Sequence, residues 1–396
     1  MIDHARTAQA RPRIALAHDW LCTYRGGEAV LERIARIAGE TGEIDRLYTM
    51  FDEGRSLAPA TDAVQREVSS LRRLPPAARR WVLPLYPAAV GELSRRLARR
   101  QAVAPIDLLV STSSAAIKGM RAPRGVPHLC YCHAPARYIW SVRDEYSQGR
   151  GPGAVLRRGG LWAAAPWFKR WDRASSANVT RFLAPSSHTA RQIERFYGRV
   201  ARVVHPPVRT DFFTPGQGGR EDFWLFVGAL EPYKRADLAI EGAAIAGARL
   251  KIAGAGSMAE SLRRLGAGHV EFLGRVSDEE LRDLYRRARL LVFPQVEDFG
   301  ITAVEAQACG CPVVARRAGG ALDTVLEGQT GAFFGEATAE GLVEAARNCP
   351  GDAPACRANS MRFGTGAFDA AMREEIAGAL AGATGAAQGS RAQARA

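Results

Sequence analysis

The chain has 396 residues, 47% of them hydrophobic, a length that favours two α/β domains over a single core. Its formal net charge of +13 comes mostly from arginine and indicates anionic partners, such as nucleotides, lipid phosphates or nucleic acid. The first residues contain no apolar segment, which argues against a secretory signal. No uncharged apolar run reaches about eighteen residues, which argues against a membrane-spanning helix. The seven cysteines include no C-x-x-C pair, which argues against a structural zinc site. We therefore expect a cytoplasmic protein with reduced thiols.

The first half of the chain alternates short apolar runs with segments of helical period. Residues 1–12 are polar and predicted to be flexible. Strands are predicted at residues 14–18, 108–111, 128–132 and 182–185. Such βαβ alternation indicates a parallel sheet covered by helices on both faces.

The second half repeats this scheme. Strands are predicted at residues 224–227, 250–253, 270–273, 290–293 and 312–315. Ser277 and Glu280 have the spacing of a capping box and open a helix between two of these strands. A second Rossmann-like domain is therefore expected.

Proline and glycine set the predicted domain boundaries. Pro206 and Pro207 continue neither a helix nor a strand, so we place a linker at 206–219 between domains at 13–205 and 220–363. A C-terminal helix is predicted at 364–382, where it can return to the first domain. The tail at 383–396 consists of Ala, Gly, Gln and Arg without an apolar face, and is predicted to be disordered.

The most informative segment follows the strand that ends at Phe293. It places Glu297 and Glu305 eight positions apart around Gly300, before a helix. The amides near Gly300 and Ile301 would be the free donors of a helix N-terminus, suited to a diphosphate. The carboxylates would accept hydrogen bonds from the hydroxyls of a sugar nucleotide. The alternative is that Thr302 and Glu305 form a capping box while Glu297 is a solvated charge, and the pattern weighs the two equally.

Several motifs in this order resemble the family 4 retaining glycosyltransferases, with the bacterial polysaccharide mannosyltransferases nearest. Glu297 and Glu305 match the family's E-x7-E signature. The other matches are Asp19 with residues 25–28, the segment 131–140 around His133, the segment 227–235 around Lys234, residues 272–276, residues 310–314, and Gly319 with Gly320. The resemblance extends from residue 14 to about residue 334.

The resemblance implies an α/β fold of the GT-B type, with two Rossmann-like domains whose parallel sheets face a central cleft. If the residues that match the family's motifs have the same roles here, Glu305 would bind the donor ribose and Glu297 would bind the transferred sugar. Donor binding would also involve Arg275 and Val276 at the base, and Phe299, Gly300, Ile301 and Thr302 at the sugar and diphosphate.

The resemblance also implies that Lys234 neutralises the departing diphosphate in place of a divalent metal. Many family members carry an arginine five positions earlier, where this chain has Ala229. Arg235 is the candidate for a second cation. A lone lysine after a strand is otherwise more often a solvated charge, so the interpretation of Lys234 depends on the motif.

Three further features of the chain have a structural alternative. Gly26 and Gly27 are predicted to form a loop that faces the donor, and the alternative is a plain turn. His133 is predicted to bind the transferred sugar, and the alternative is a histidine with a purely structural role. Gly254 and Gly256 lack the remaining residues of a nucleotide loop and are predicted to form a tight turn.

The expected substrate is a nucleotide sugar, GDP-mannose first and UDP-sugars next, with no cofactor and no metal. The expected acceptor is a saccharide or polyprenyl-linked saccharide of cell-surface polysaccharide synthesis. Basic and aromatic residues interleave and favour contact with an anionic membrane surface over the alternative of solvated basic helices that pack their aromatic residues inward. They lie at residues 72–73, 79–81, 85–86, 95–96, 157–158, 162, 167 and 169–171. The alternatives are a GT-B protein without transferase activity, such as a sugar-nucleotide epimerase, and, less favoured, a nucleic-acid binder.

Overall fold

A computed structural model describes residues 11–75, 82–140, 165–266 and 268–393. The chain forms two compact units. The first unit contains the described parts of Met1–Ala184, Gln192–Arg202 and Asp369–Ala396. The second unit contains Pro185–Arg191 and the described parts of Val203–Phe368.

The first unit is built on a seven-stranded sheet of order β3-β2-β1-β4-β5-β6-β7. Its strands are β1 (Arg13–Leu21), β2 (Glu43–Asp52), β3 (Arg66–Val68), β4 (Leu108–Ser113), β5 (His128–Cys132), β6 (Arg181–Ala184) and β7 (Ala201–Val203). The pairs from β3 through β6 are parallel. Strand order reverses between β1 and β4, the place where open α/β sheets bind ligands beyond the carboxyl ends of their strands.

Helices join these strands. They are α1 (Gly26–Thr41), α2 (Pro59–Asp62), α3 (Tyr86–Gln101), α4 (Arg137–Trp140), α5 (described over 165–175) and α6 (Ser187–Tyr197). Buried Ile34, Leu93 and Phe168 are examples of the apolar side chains that pack into the core of this unit. Removing them from water is the main favourable contribution to folding.

The second unit has a six-stranded parallel sheet of order β10-β9-β8-β11-β12-β13. Its strands are β8 (Phe223–Val227), β9 (Arg249–Ala253), β10 (Val270–Gly274), β11 (Leu290–Phe293), β12 (Val313–Arg316) and β13 (Gly331–Phe334). This order repeats that of the first six strands of the chain, so the second reversal lies between β8 and β11. Two apolar clusters, one containing Phe226 and the other Phe293, fill the unit.

The remaining helices connect the second sheet and end the chain. They are α7 (Ala236–Ala246), α8 (Ala259–Leu265), α9 (Asp278–Arg287), α10 (Ile301–Ala308), α11 (Ala321–Thr324), α12 (Ala339–Arg347), α13 (Ala353–Ser360) and α14 (Thr365–Gln393). The predicted capping box at Ser277 and Glu280 is confirmed, because each side chain bonds the backbone amide of the other residue.

All the predicted strands are present, but β2, β3, β7 and β13 were not predicted. β2 begins with charged residues and therefore lacks an apolar run. Its Asp45 is nevertheless 8% exposed, because guanidinium groups of Arg13 and Arg100 bond it at 2.7 and 2.8 Å. Paired charges thus allow a strand that hydrophobic patterning misses.

Two predicted boundaries differ from the structure. Residues 206–219, predicted as a linker, pack into the second unit through buried Val208 and Phe213. The segment Pro185–Arg191, predicted in the first domain, also belongs to the second unit, where the Ser187 amide bonds the Asp323 carboxylate at 2.6 Å.

The predicted disordered tail is wrong for residues 383–393, which continue α14. Alanine has the highest helix propensity, and the alanine-rich composition of this stretch explains the difference. Residues 394–396 and most of the predicted flexible N-terminus lie outside the described residues.

Candidate functional site

In the second unit, the E-x7-E segment lies at the end of β11, beside the reversal of strand order. Gly300 caps α10 with a φ of +94°, in the left-handed region that disfavours other residues. A Cβ at Gly300 would stand 2.9 Å from the Phe293 ring. Glycine is therefore needed here for both conformation and space. The capping box of Thr302 and Glu305 does not form, because Gly300 occupies the N-cap.

Gly319 and Gly320 support this segment from the turn after β12. The amide of Gly320 donates to the carbonyl of Glu297 at 2.8 Å. A Cβ at Gly319 would stand 2.5 Å from that same carbonyl oxygen, and one at Gly320 would stand 2.3 Å from the Phe299 Cα. The two backbones are thus in direct contact, which fixes the path of the chain leading into α10.

Lys234 and Glu297 form an ion pair. Lys234 lies in a short 3-10 helix after β8, and its Nζ donates to Glu297 Oε1 in the loop after β11. Each side chain is 17% exposed. The neighbouring strands β8 and β11 therefore bring together two residues that are 63 positions apart in sequence. A partly desolvated pair of this kind holds a cation beside the N-terminus of α10, where an anion is favoured.

Glu305 lies one turn into α10 and bonds a buried tyrosine. The hydroxyl of Tyr285 donates to Glu305 Oε2 at 3.3 Å, and Tyr285 itself is 0% exposed. Burial raises the pKa of the Glu305 carboxyl to about 7, against the opposing influence of Arg209 and Tyr285. Tyr285 was not predicted as a site residue.

The remaining predicted residues of the second unit have varied surroundings. Phe299 is 4% exposed and packs edge-on against Phe363, and Ile301 packs on the same cluster. Val276 is partly buried and Arg275 is exposed.

Arg235 has a left-handed backbone, with φ of +53°, and its guanidinium bonds Asp237 at 3.0 Å. Its charge is therefore directed to a neighbour at the start of α7.

Residues 254–256, predicted as a tight turn, follow β9 without a turn of their own, and the turn comes at residues 257–258. A Cβ at Gly254 would stand 1.8 Å from the Gly228 carbonyl oxygen, and one at Gly256 would stand 2.4 Å from that of Leu230. The glycines thus serve the close approach of two backbone segments, the loops after β8 and β9.

In the first unit, the predicted residues lie at the corresponding reversal between β1 and β4. Gly26 begins α1, and the carboxylate of Glu28 accepts from the Arg25 amide at 3.0 Å. A Cβ at Gly27 would stand 3.7 Å from His133 Nε2 and 3.8 Å from His18 Cε1. The glycine loop and His133 are therefore neighbours.

His133 follows β5, and its amide donates to the Ser113 carbonyl at 2.8 Å. Its Nε2 is buried and has no hydrogen-bond partner among the described residues. Burial lowers the pKa of His133 to about 3, and the neighbouring His18 adds to this effect. The imidazole is therefore neutral near pH 7 and able to exchange hydrogen bonds with a hydroxyl.

Asp19 was matched by resemblance without a role, and the structure shows what it does. It is 0% exposed, and its carboxylate accepts the amides of four successive residues, 114–117, at 2.6 to 2.9 Å. Such a carboxylate organises the turn after β4 rather than binding a ligand. His18 and Glu28 are polar neighbours of His133, and Thr112 bonds His18; none of the three was predicted as a site residue.

Within the described ranges, no group of three or more His, Cys, Asp or Glu side chains is arranged to hold a metal ion. Over those same residues, no helix has both the length and the apolar composition required to cross a bilayer.

Comparison with known proteins finds glycosyltransferases. Residues 44–212 match the family described as Glycosyltransferase Family 4, and residues 208–354 match Glycosyl transferases group 1. D-inositol 3-phosphate glycosyltransferase of Mycolicibacterium smegmatis is 41% identical over 153 residues, covering 33% of this chain and 35% of that protein. The match thus spans about a third of the length of this curated relative.

Solved structures share the fold at low sequence identity. Sucrose-phosphate synthase from Thermosynechococcus elongatus is 16% identical, with a TM-score of 0.71 over 94% of this chain and 100% of that one. Anabaena HepE in complex with UDP is also 16% identical, with a TM-score of 0.65 over 92% of this chain and 100% of that one. At these identities the likeness establishes the fold, two Rossmann-like units with parallel sheets.

Proposed function

We propose that this chain, which has the GT-B fold and carries glycosyltransferase family 4 and group 1 regions, is a retaining hexosyltransferase. It would move a hexose from a nucleoside diphosphate sugar to a hydroxyl of an acceptor. The observation that carries the proposal is the Lys234–Glu297 ion pair beside the glycine-capped N-terminus of α10.

The ion pair supports this chemistry because breaking a glycosidic phosphate bond places negative charge on the diphosphate. Lys234 would stabilise that charge, and the free amides at the start of α10 would bind phosphate oxygens. When the diphosphate takes over the cation, Glu297 is released to accept a hydrogen bond from a sugar hydroxyl. Glu305 would bind the ribose.

In the first unit, His133 and Gly27 are the residues proposed to bind the transferred sugar. A neutral imidazole beside a glycine suits a sugar hydroxyl better than a phosphate, because it carries no charge and the glycine leaves room. In retaining transfer without a covalent intermediate, the departing phosphate oxygen accepts the proton of the acceptor hydroxyl. We therefore assign no protein nucleophile and no metal.

GDP-mannose is the first proposed donor, from the motif resemblance. UDP-sugars are the second, because HepE of similar fold was solved with UDP. The first proposed acceptor is a saccharide or polyprenyl-linked saccharide of cell-surface polysaccharide. Inositol phosphate is the alternative, because a 41% identical relative is named for it.

Contact with an anionic membrane surface, on the cytoplasmic face, is part of the same proposal. Trp167 is 50% exposed, and the Lys169 ammonium lies 4.9 Å from the Trp140 ring centroid. Arg96 of α3, by contrast, is engaged by Glu92. The stretches at 79–81, 157–158 and 162 lie outside the described residues. Cosedimentation with phosphatidylglycerol vesicles, but not with phosphatidylcholine vesicles, is the expected result.

A thermal-shift panel of GDP-mannose, GDP-glucose, UDP-glucose and UDP-galactose tests the donor. A ligand at a hundred times its dissociation constant should stabilise the protein by about 2.7 kcal/mol. Free nucleotide should then be released only when an acceptor is present. Release or sugar interconversion without an acceptor would instead support an epimerase, and salt-sensitive DNA binding without a nucleotide-sugar shift would support a nucleic-acid binder.

A further inference from the structure

A second histidine with a buried ring nitrogen lies at the strand-order reversal of the first unit. His18 on β1 is 4% exposed, and its Nδ1 is 2.5 Å from the Oγ1 of Thr112, its register partner on β4. Its other ring nitrogen, Nε2, is buried without a hydrogen-bond partner among the described residues. The closest carboxylate oxygen, Oε1 of Glu28, is 3.8 Å away, which is too far for a hydrogen bond.

The rings of both histidines border Gly27. The position of a Cβ on that glycine would be 3.7 Å from His133 Nε2 and 3.8 Å from His18 Cε1. Gly27 is in the first turn of the 16-residue helix α1, whose leading amides are free donors. His133 Nε2 and the edge of the His18 ring that includes Cε1, the carbon bonded to Nε2, therefore lie beside one small volume that a side chain at Gly27 would occupy.

The surroundings of His18 select its tautomer. Thr112 can donate its hydroxyl proton to Nδ1, and the nearby Glu28 carboxylate favours a proton on Nε2. Glu28 is held in turn by the Arg25 amide. His18 would therefore present an N–H group, while neutral His133 offers a lone pair or an N–H at Nε2.

We propose that His18, held by Thr112 and Glu28, binds a hydroxyl of the transferred sugar and, together with His133, determines which hexose is accepted. This inference rests on the proposed function. A secondary hydroxyl accepts one hydrogen bond and donates another, so it can satisfy both imidazoles at once. Buried nitrogens without partners strongly disfavour a ligand that lacks this hydroxyl, because they then stay unpaired.

A purely structural histidine would need only its Nδ1 contact with Thr112. Two substitutions separate these roles. His18→Asn keeps an amide near the position of Nδ1 and removes the group at Nε2. His18→Gln extends an amide toward the position of Nε2, so it serves as the conservative control of similar burial.

The experiment measures, by calorimetry, the affinities for GDP-mannose, UDP-glucose and the corresponding diphosphates GDP and UDP. His18→Asn should weaken binding of the preferred nucleotide sugar about tenfold, as expected for one lost hydrogen bond, and leave the bare diphosphate unchanged. His18→Gln should stay within about threefold of the wild type. The preference between the preferred hexose and its epimers should fall in His18→Asn alone.

Unchanged sugar-nucleotide affinity in His18→Asn, or equal losses for the sugar nucleotide and the bare diphosphate, would overturn the inference and leave the proposed function standing. A wild-type protein that binds no sugar nucleotide overturns both. If the His18 variants unfold, Glu28→Gln provides the test, since it keeps an acceptor for the Arg25 amide and removes the charge beside Nε2. Its sugar-specific affinity should fall, and an unchanged value contradicts the inference.

Discussion

The two strand-order reversals of this molecule contain different chemistry. In the second unit, the polar groups near β8 and β11 are ionic and already paired, Lys234 with Glu297 and Arg235 with Asp237. In the first unit, near the carboxyl ends of β1 and β5, two imidazoles each have one buried nitrogen without a hydrogen-bond partner among the described residues. Paired charges suit a ligand that brings its own charge and takes over one partner. Polar groups without a partner suit a hydroxyl, which can both donate and accept a hydrogen bond. The same reversal of strand order thus occurs with two different kinds of polar group, paired ions in one unit and unpaired imidazole nitrogens in the other.

The largest expected effect of a substitution is on the cation of the second unit. Lys234→Ala should lower turnover about a hundred- to a thousandfold, because a fixed cation is worth most where charge develops in the transition state. Nucleotide affinity should change much less. Steady-state kinetics and calorimetry measure the two effects separately.

Arg235→Ala is the matched control for Lys234→Ala, because the guanidinium of Arg235 already bonds Asp237. It should keep most of the turnover. The double variant tests whether Arg235 substitutes for the lost lysine. Near wild-type turnover in both Lys234→Ala and the double variant would show that the leaving group is stabilised elsewhere.

The next effect concerns Glu305. Glu305→Ala should weaken donor binding by about 1–3 kcal/mol, because ribose hydroxyls would lose their acceptor in a desolvated place. Glu305→Gln keeps one acceptor oxygen and should lose less. Calorimetry with the preferred donor makes the comparison, and an unchanged affinity in folded Glu305→Ala removes this residue from the site.

A smaller effect is the pH dependence that the same carboxyl introduces. Its pKa is raised to about 7, and the ionised form is the better acceptor, so donor affinity should rise with pH and level off above about 7. Stability should run the other way, since the favourable contribution of this group is complete below its ordinary pKa of 4.5 and is lost as pH rises through about 7.

Tyr285→Phe sharpens this prediction. The tyrosine hydroxyl lowers the pKa of Glu305, so the variant should move the midpoint of donor binding to higher pH. Glu305→Gln should abolish the midpoint. A pH profile of affinity that is identical in all three proteins assigns the titration to another group.

Chelation of divalent metal ions is expected to have no effect on activity. If Lys234 and the α10 amides neutralise the diphosphate as proposed, activity in excess EDTA should equal activity without it. Loss of activity that magnesium or manganese restores would contradict the assignment of the cation.

Hydrophobic patterning was enough to predict the strands whose carboxyl ends surround both candidate clusters. It was not enough for β2, whose buried Asp45 depends on two arginines from elsewhere in the chain. Nor does sequence spacing predict the partner of a charge. Lys234 and Glu297 meet only because β8 and β11 are adjacent in the sheet. The orphan nitrogen of His18 is equally invisible in sequence, since burial and partners are tertiary properties.

The contact of Gly319 and Gly320 with the segment before α10 has a consequence for how such chains diverge. It is made by main-chain atoms, so its geometry does not depend on the identity of neighbouring side chains. Partly exposed positions such as Val276 and Thr302 can then be exchanged without moving the backbone amides at Gly300. Under the proposed function, substitutions at such positions would change the donor preference and leave this backbone path in place, whereas any residue larger than glycine at 319 or 320 would disturb binding of every donor alike.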